Sequence, residues 1–151
     1  MKNFSEIQAL MKSDIEKTDK ILIDRLNSNV DLINQMSHYI ITSGGKRLRP
    51  LLLLLSARAT NYVGTDHHAM AVVIELIHTA TLLHDDVVDE STTRRGQDTA
   101  NELWGNAPSV LVGDFLYSRA FEIMVEPNSM AIMRILSKQQ TRLQKEKSYN
   151  Y

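Results

Sequence analysis

The stretch His84-Asp85-Asp86-Val87-Val88-Asp89-Glu90 puts carboxylates at 85, 86, 89 and 90. On a helix, Asp85 and Asp89 stand one turn apart and project side by side. Like charges at that spacing repel and weaken a bare helix. A divalent cation between them removes the penalty, and carboxylate oxygens are the hard ligands magnesium prefers. Magnesium takes few carboxylates and keeps several waters, which leaves places for phosphate oxygens. An acidic surface face is the plainer reading of the string alone. Its apolar surroundings, Leu82, Leu83, Val87 and Val88, count against that reading.

The same helix face extends upstream. His78, Thr81, Asp85 and Asp89 follow at intervals of three and four, so they form one stripe. His78 on this stripe is either a core histidine or a donor to phosphate. A second cluster is Gly44-Gly45-Lys46-Arg47-Leu48-Arg49-Pro50. Paired glycines let backbone approach a ligand closely. The cations that follow sit at a helix start, which itself favours anions. Arginine grips phosphate bidentately and lysine supplies a point charge. A basic turn between helices is the alternative. Arg94-Arg95-Gly96 is a third, weaker basic signal. Together these give one acidic metal site and two basic clusters, which is what two diphosphates require.

The elements that must position these residues read as helices. Phe4, Ile7, Leu10, Met11, Ile15, Ile21 and Leu22 fall at helical spacings. A second helix is expected from about Val30 to Ser43, stopped by Gly44 and Gly45. Pro50 restarts the chain, and the unbroken run Leu51 to Leu55 predicts a helix buried on most sides. Asp66 is expected to cap a long helix reaching about Glu90. Ser91 to Thr99 reads as a loop, followed by a short segment with Trp104. Further helices start near Pro108, ending before Pro127, and near Ser129. No strand is expected. His38, His67 and His68 are assigned as surface or cap groups without partners, Trp104 and Phe115 as core or subunit contacts, and Asp114 receives no role.

Composition bounds the rest. The 151 residues are 43% hydrophobic and 23% charged, which suits a folded domain rather than a disordered chain. The formal net charge of −1 offers no bulk field for nucleic acid or an anionic membrane. There is no cysteine, so disulfides and thiolate metal sites are excluded and a reducing, cytoplasmic setting is expected. The longest apolar run is far short of the ~20 residues that cross a bilayer, and no signal segment is visible.

GGKRLRP, IHTATLLHDDVVDESTTRRG and VLVGDFLYSRAF together resemble the trans-isoprenyl diphosphate synthases, most of all the bacterial octaprenyl and related polyprenyl enzymes of quinone side-chain synthesis. The likeness covers residues 1–137. It implies an all-α isoprenoid-synthase helical bundle, here its N-terminal helices. It implies that Asp85 and Asp89 hold Mg²⁺ on an allylic diphosphate, with Asp86 in support and Arg94 contacting that diphosphate. Lys46, Arg49, His78 and Arg95 would hold isopentenyl diphosphate. The implied reaction is ionisation, condensation and elimination, with metal and arginine stabilising charge on the departing diphosphate. A homodimer is also implied.

Product length follows from the residues one turn before Asp85, ~6 Å along the helix. Short-chain relatives carry a bulky aromatic side chain there. Ala80 and Thr81 are small, so a long product of octaprenyl size is expected. The family's second aspartate-rich motif does not occur in these residues. Residues 138–151, KQQTRLQKEKSYNY, are polar and basic and break the apolar rhythm of Met130, Ile132, Met133, Ile135 and Leu136. A one-base deletion near codon 139 converts family-like text, KATNTIAEGEVLQL, into this tail, so an aberrant, frame-shifted segment is expected. The chain alone is expected to expose apolar faces and to be inactive. Three competing readings remain: a terpene cyclase, which has little use for Lys46 and Arg49; an HD-type phosphohydrolase using His84 and Asp85; and a non-catalytic fragment or subunit pairing with an intact synthase.

Overall fold

In the computed structural model, which describes residues 3–43 and 45–148, helix follows helix with one small hairpin between them. The first helix, α1 (Phe4–Leu10), begins with a capping box: the Asn3 side chain accepts from the Glu6 amide, and the Asn3 amide donates to Glu6 Oε2 at 2.8 Å. The helical spacing of the N-terminus continues into α2 (Lys12–Leu26), but the backbone bends at Met11 (φ −98°, ψ 7°). Met11 is fully buried against Leu51, Leu54 and Ala71, so packing of this side chain fixes the bend.

Next comes α3 (Asp31–Thr42). Gly44, expected to stop this helix, lies outside the described residues. α4 (Leu48–Ala59) starts two residues before Pro50, whose missing N–H is harmless in the first turn. The run Leu51 to Leu55 is less buried than its composition implies. Leu51 and Leu54 are buried while Leu52 is 61% exposed, because α4 packs against its neighbours along one stripe only.

The long α5 (Asp66–Val88) is the central element, ~35 Å of helix packed against α2, α4 and α7. Thr65, not Asp66, is the N-cap, and Asp66 is the first helical residue. The helix stops at Val88, short of the expected Glu90, because Glu90 adopts a left-handed φ of 51°. The loop expected at 91–99 contains two short strands, β1 (Thr93–Arg94) and β2 (Gln97–Asp98), paired antiparallel with Arg94 opposite Gln97. Arg95 (φ 54°) and Gly96 (φ 78°) form the two-residue turn. Two consecutive positive φ angles are what a tight hairpin of right-handed twist demands.

α6 (Ala100–Trp104), α7 (Asn106–Val125) and α8 (Met130–Ser148) complete the described chain. α8 runs unbroken through Lys138. The main core joins Leu22 and Leu26 of α2 and Met36 of α3 to Val73, Leu76 and Ala80 of α5 and to Val112, Leu116 and Ile123 of α7. Among the described residues, no helix is long and apolar enough to cross a membrane. His67 and His68 depart from the reading as partnerless surface groups. His68 is 7% exposed and its Nε2 lies 2.9 Å from Asp14 Oδ1, because the start of α5 is tucked against α2. His38 is exposed, as expected.

Candidate functional site

A groove of about 550 Å³ opens between the α3–α4 connection, the inner face of α5 and the hairpin. Lys46, Arg47, Arg49, Arg94 and Arg95 all line it, together with His78, Glu75 and Asp86. Its construction begins at Arg47, which takes a left-handed φ of 42° at the N-cap of α4 and ion-pairs with Asp19 of α2. Gly45 lies against the hairpin tip: a Cβ there would push the Arg95 guanidinium aside. The loop of residues 45–47 and the tip of the hairpin therefore close on each other over α5.

Arg49 Nη1 lies 3.0 Å from His78 Nε2. Arginine can only donate, so His78 Nε2 accepts and its proton sits on Nδ1. Burial, and then the cations Arg49, Arg95 and Arg94, push the His78 pKa down to about 4. His78 is thus neutral near pH 7, and a bound anion would offset the cations that keep it so.

Glu75 lies one turn upstream on the same face and was not singled out by the sequence reading. Burial holds its carboxyl above the ordinary range, against the pull of Arg47, Arg49 and Arg95. A lone carboxylate inside the apolar run AVVIELIH, three residues before His78, is the signal that could have found it.

Asp86 is 5% exposed and grips Arg94 through both oxygens, with Nε 3.1 Å from each and Nη2 2.6 Å from Oδ1. Those bonds hold Arg94 more firmly in its charged form, against the opposing effect of burial. The pair also ties β1 to the last turn of α5. The hairpin is fixed from the other side by Tyr39, whose hydroxyl donates to the Asp98 carbonyl at 2.8 Å, and by Thr99, whose hydroxyl donates to the Ser91 carbonyl at 2.7 Å.

Asp85 and Asp89 sit at the carboxyl end of α5, the Asp89 amide donating to the Asp85 carbonyl at 2.8 Å. Asp85 is half-buried and Asp89 exposed, and neither lines the groove. Both lie close enough to act on the charge of Arg94, so the acidic end and the basic groove adjoin at the Asp86–Arg94 pair. The helix C-terminus adds its own partial negative charge to the two carboxylates. Two carboxylates one turn apart are a donor set that could hold a hard cation and leave its other positions to water or phosphate.

The structure divides the stripe read from the sequence. His78 turns toward Arg49, whereas Thr81 turns toward α7, its hydroxyl 2.7 Å from that of Tyr117. Ala80 is fully buried in the core. Tyr117, missed in the sequence, is the side chain facing the small residue at 81. His84 also turns to α7, with Nε2 3.2 Å from the Val110 carbonyl and 3.5 Å from Asp114 Oδ1. Gly113 leaves room for that imidazole, since a Cβ would overlap it. His84 belongs to no group of three or more candidate metal donors among the described residues.

The polyprenyl synthetase family model matches residues 30–150. The chain belongs to the polyprenyl synthetase family. Octaprenyl diphosphate synthase of Escherichia coli is 50% identical over 135 residues, covering 89% of this chain and 42% of that protein. A crystal structure of a polyprenyl synthase from Caulobacter crescentus, complexed with calcium and isoprenyl diphosphate, matches with a TM-score of 0.93 at 42% identity, covering 97% of this chain and 44% of that one. A decaprenyl diphosphate synthase from Rhodobacter capsulatus matches with a TM-score of 0.91 at 40% identity, covering 97% and 45%. The all-α fold expected from the motifs is therefore the fold of the polyprenyl synthetases. The chain spans less than half the length of these relatives.

Proposed function

We propose that this chain forms the two-diphosphate half of a trans-prenyltransferase that condenses isopentenyl diphosphate with an allylic, farnesyl-type diphosphate, making a long all-trans polyprenyl diphosphate for quinone side chains. The observation that carries this reading is the convergence of Lys46, Arg49, His78 and Arg95 in one groove, beside Asp85 and Asp89 on the same helix end. The groove residues would bind the diphosphate of isopentenyl diphosphate. Arg49 supplies two donors, Lys46 and Arg95 supply charge, and His78 offers the proton on Nδ1.

Asp85 and Asp89 would hold Mg²⁺, consistent with the calcium and isoprenyl diphosphate in the Caulobacter crescentus relative. Bound there, the ion would neutralise charge on the allylic diphosphate as it leaves. Arg94, fixed by Asp86, would aim its remaining donors at the same diphosphate. Holding the two substrates side by side removes much of the entropy barrier to their condensation. The small residues Ala80 and Thr81 would set product length, with Tyr117 as the side chain that any larger group at 81 must displace.

Calorimetric titration tests the groove directly. Isopentenyl diphosphate should bind this chain without metal, and Arg49→Ala should weaken it by about 10- to 100-fold, the range of one lost charge-assisted hydrogen bond. Unchanged affinity in that variant refutes the assignment. The alternative is a non-catalytic role, pairing with an intact synthase. Assays with farnesyl diphosphate, isopentenyl diphosphate and Mg²⁺, with and without a full-length synthase, separate the two readings.

A further inference from the structure

Far from the groove, at the opposite end of α5, three side chains from two helices meet in a way the diphosphate chemistry does not use. Asp14 of α2 faces His67 and His68, the second and third residues of α5. His68 Nε2 is 2.9 Å and His67 Nε2 3.9 Å from the same oxygen, Asp14 Oδ1. Each residue offers a donor atom, and the three lie within 4.8 Å of one another. Their side chains are only 17%, 16% and 8% exposed for Asp14, His67 and His68, so the cluster is partly buried.

We infer that Asp14, His67 and His68 form a binding site for a divalent transition ion of the zinc type, clasping α2 to the start of α5. Zinc–nitrogen and zinc–oxygen bonds of ~2.0–2.2 Å in a tetrahedron place donors ~3.3–3.5 Å apart. The separations of 2.9 and 3.9 Å lie on either side of that spacing, and all three donors are within 4.8 Å of one another, so side-chain adjustment alone brings them to it. Two imidazoles with one carboxylate select such an ion over magnesium or calcium, which take oxygen donors.

The surroundings fit the same use. Burial, and then the neighbouring His68, lower the pKa of His67, so its ring is neutral and has a lone pair to give. Nδ1 of His67 is buried and has no hydrogen-bond partner among the described residues. Arg58 reaches Oδ2 of Asp14 at 3.6 Å and orients the carboxylate with Oδ1 on His68 Nε2, and an ion between the two would replace that hydrogen bond. The charges of Arg58 and Lys17 oppose a cation, which places the affinity below that of structural sites with four protein ligands. Asp85 lies seventeen residues beyond His68 on the same helix, ~26 Å away, so the site is separate from the carboxylates of the acidic end and does not rest on the prenyltransfer reading.

The test uses the whole chain, without an affinity tag and stripped with a chelator. Zinc is titrated against a chromophoric competitor at neutral pH, alongside thermal melts. One equivalent per chain should bind at low micromolar concentration. Excess zinc should raise the melting temperature by ~3–8 °C, and excess magnesium should not. His67→Ala, at the more exposed of the two histidines, should lower zinc affinity at least tenfold, and Asp14→Asn should do the same. Absence of a saturable equivalent in the parent protein overturns the inference. So does an undiminished affinity in a folded His67→Ala chain, with folding checked by circular dichroism.

Discussion

At the scale of single residues, charge decides what the groove can hold. His78 is neutral because burial and the arginines beside it favour the uncharged ring, with a pKa of about 4 against an ordinary value of 6.5. The unfolded chain therefore binds more protons than the folded one between those values, so stability contributed by this residue is lost as pH falls from 6.5 toward 4. His78→Gln removes that sensitivity. Its melting temperature should fall less than the parent's between pH 7 and pH 5, by about 1–3 °C for a chain of this size, and melts across that range check it. At the acidic end, Asp85→Ala with Asp89→Ala should cut magnesium-dependent binding of an allylic diphosphate by tenfold or more while leaving metal-free binding of isopentenyl diphosphate unchanged. Equal loss of both would show that the two sites are not distinct. The residues behind these expectations stand out by their types and spacing, and their roles come from the family resemblance. Glu75 left one cue, a carboxylate in an apolar run, whereas Tyr117 left none, since a tyrosine on the next helix acquires meaning only when α7 is packed against α5.

At the scale of elements, the carboxyl end of α5 is held by two different devices. Asp86 grips Arg94 of the hairpin, and His84 lies in the space left by Gly113 on α7. Gly113→Ala fills that space. The ring must then leave the Val110 carbonyl and Asp114, and the last turn of α5 that carries Asp85 loses that tie to α7. Overpacking of this kind costs about 1–3 kcal/mol, to be read by chemical denaturation. On the proposed reading, in which Asp85 and Asp89 hold magnesium, the affinity of the acidic end for that ion should fall with it. If stability drops and magnesium affinity holds, His84 is only a packing residue. Helix periods and caps were readable in sequence to within a few residues, because 3.6-residue periodicity and proline or glycine punctuation act locally. The bend at Met11 and the hairpin were not. Met11 bends the chain through burial against α4 and α5, and the hairpin depends on Arg95 adopting a left-handed φ that nothing in its residue type announces.

At the scale of the whole molecule, the balance between buried and exposed apolar surface governs how the chain behaves alone. Leu111 is 65% exposed, Phe121 48% and Val125 50% on α7, and Met130 is 61% and Ile135 62% exposed on α8. Covering the exposed half of one such side chain is worth about 1 kcal/mol, so several together favour contact between two molecules. The expected outcome is self-association that grows with protein concentration, measured by sedimentation velocity over a hundredfold range. Leu111→Lys combined with Ile135→Lys places a charge on each exposed helix face without touching the core between α5 and α7. That variant should shift the association midpoint at least tenfold upward while leaving isopentenyl diphosphate binding intact. A parent chain that stays monomeric throughout would show that these faces do not drive association. The homodimer expected from the family would then have to be built on surface other than these faces.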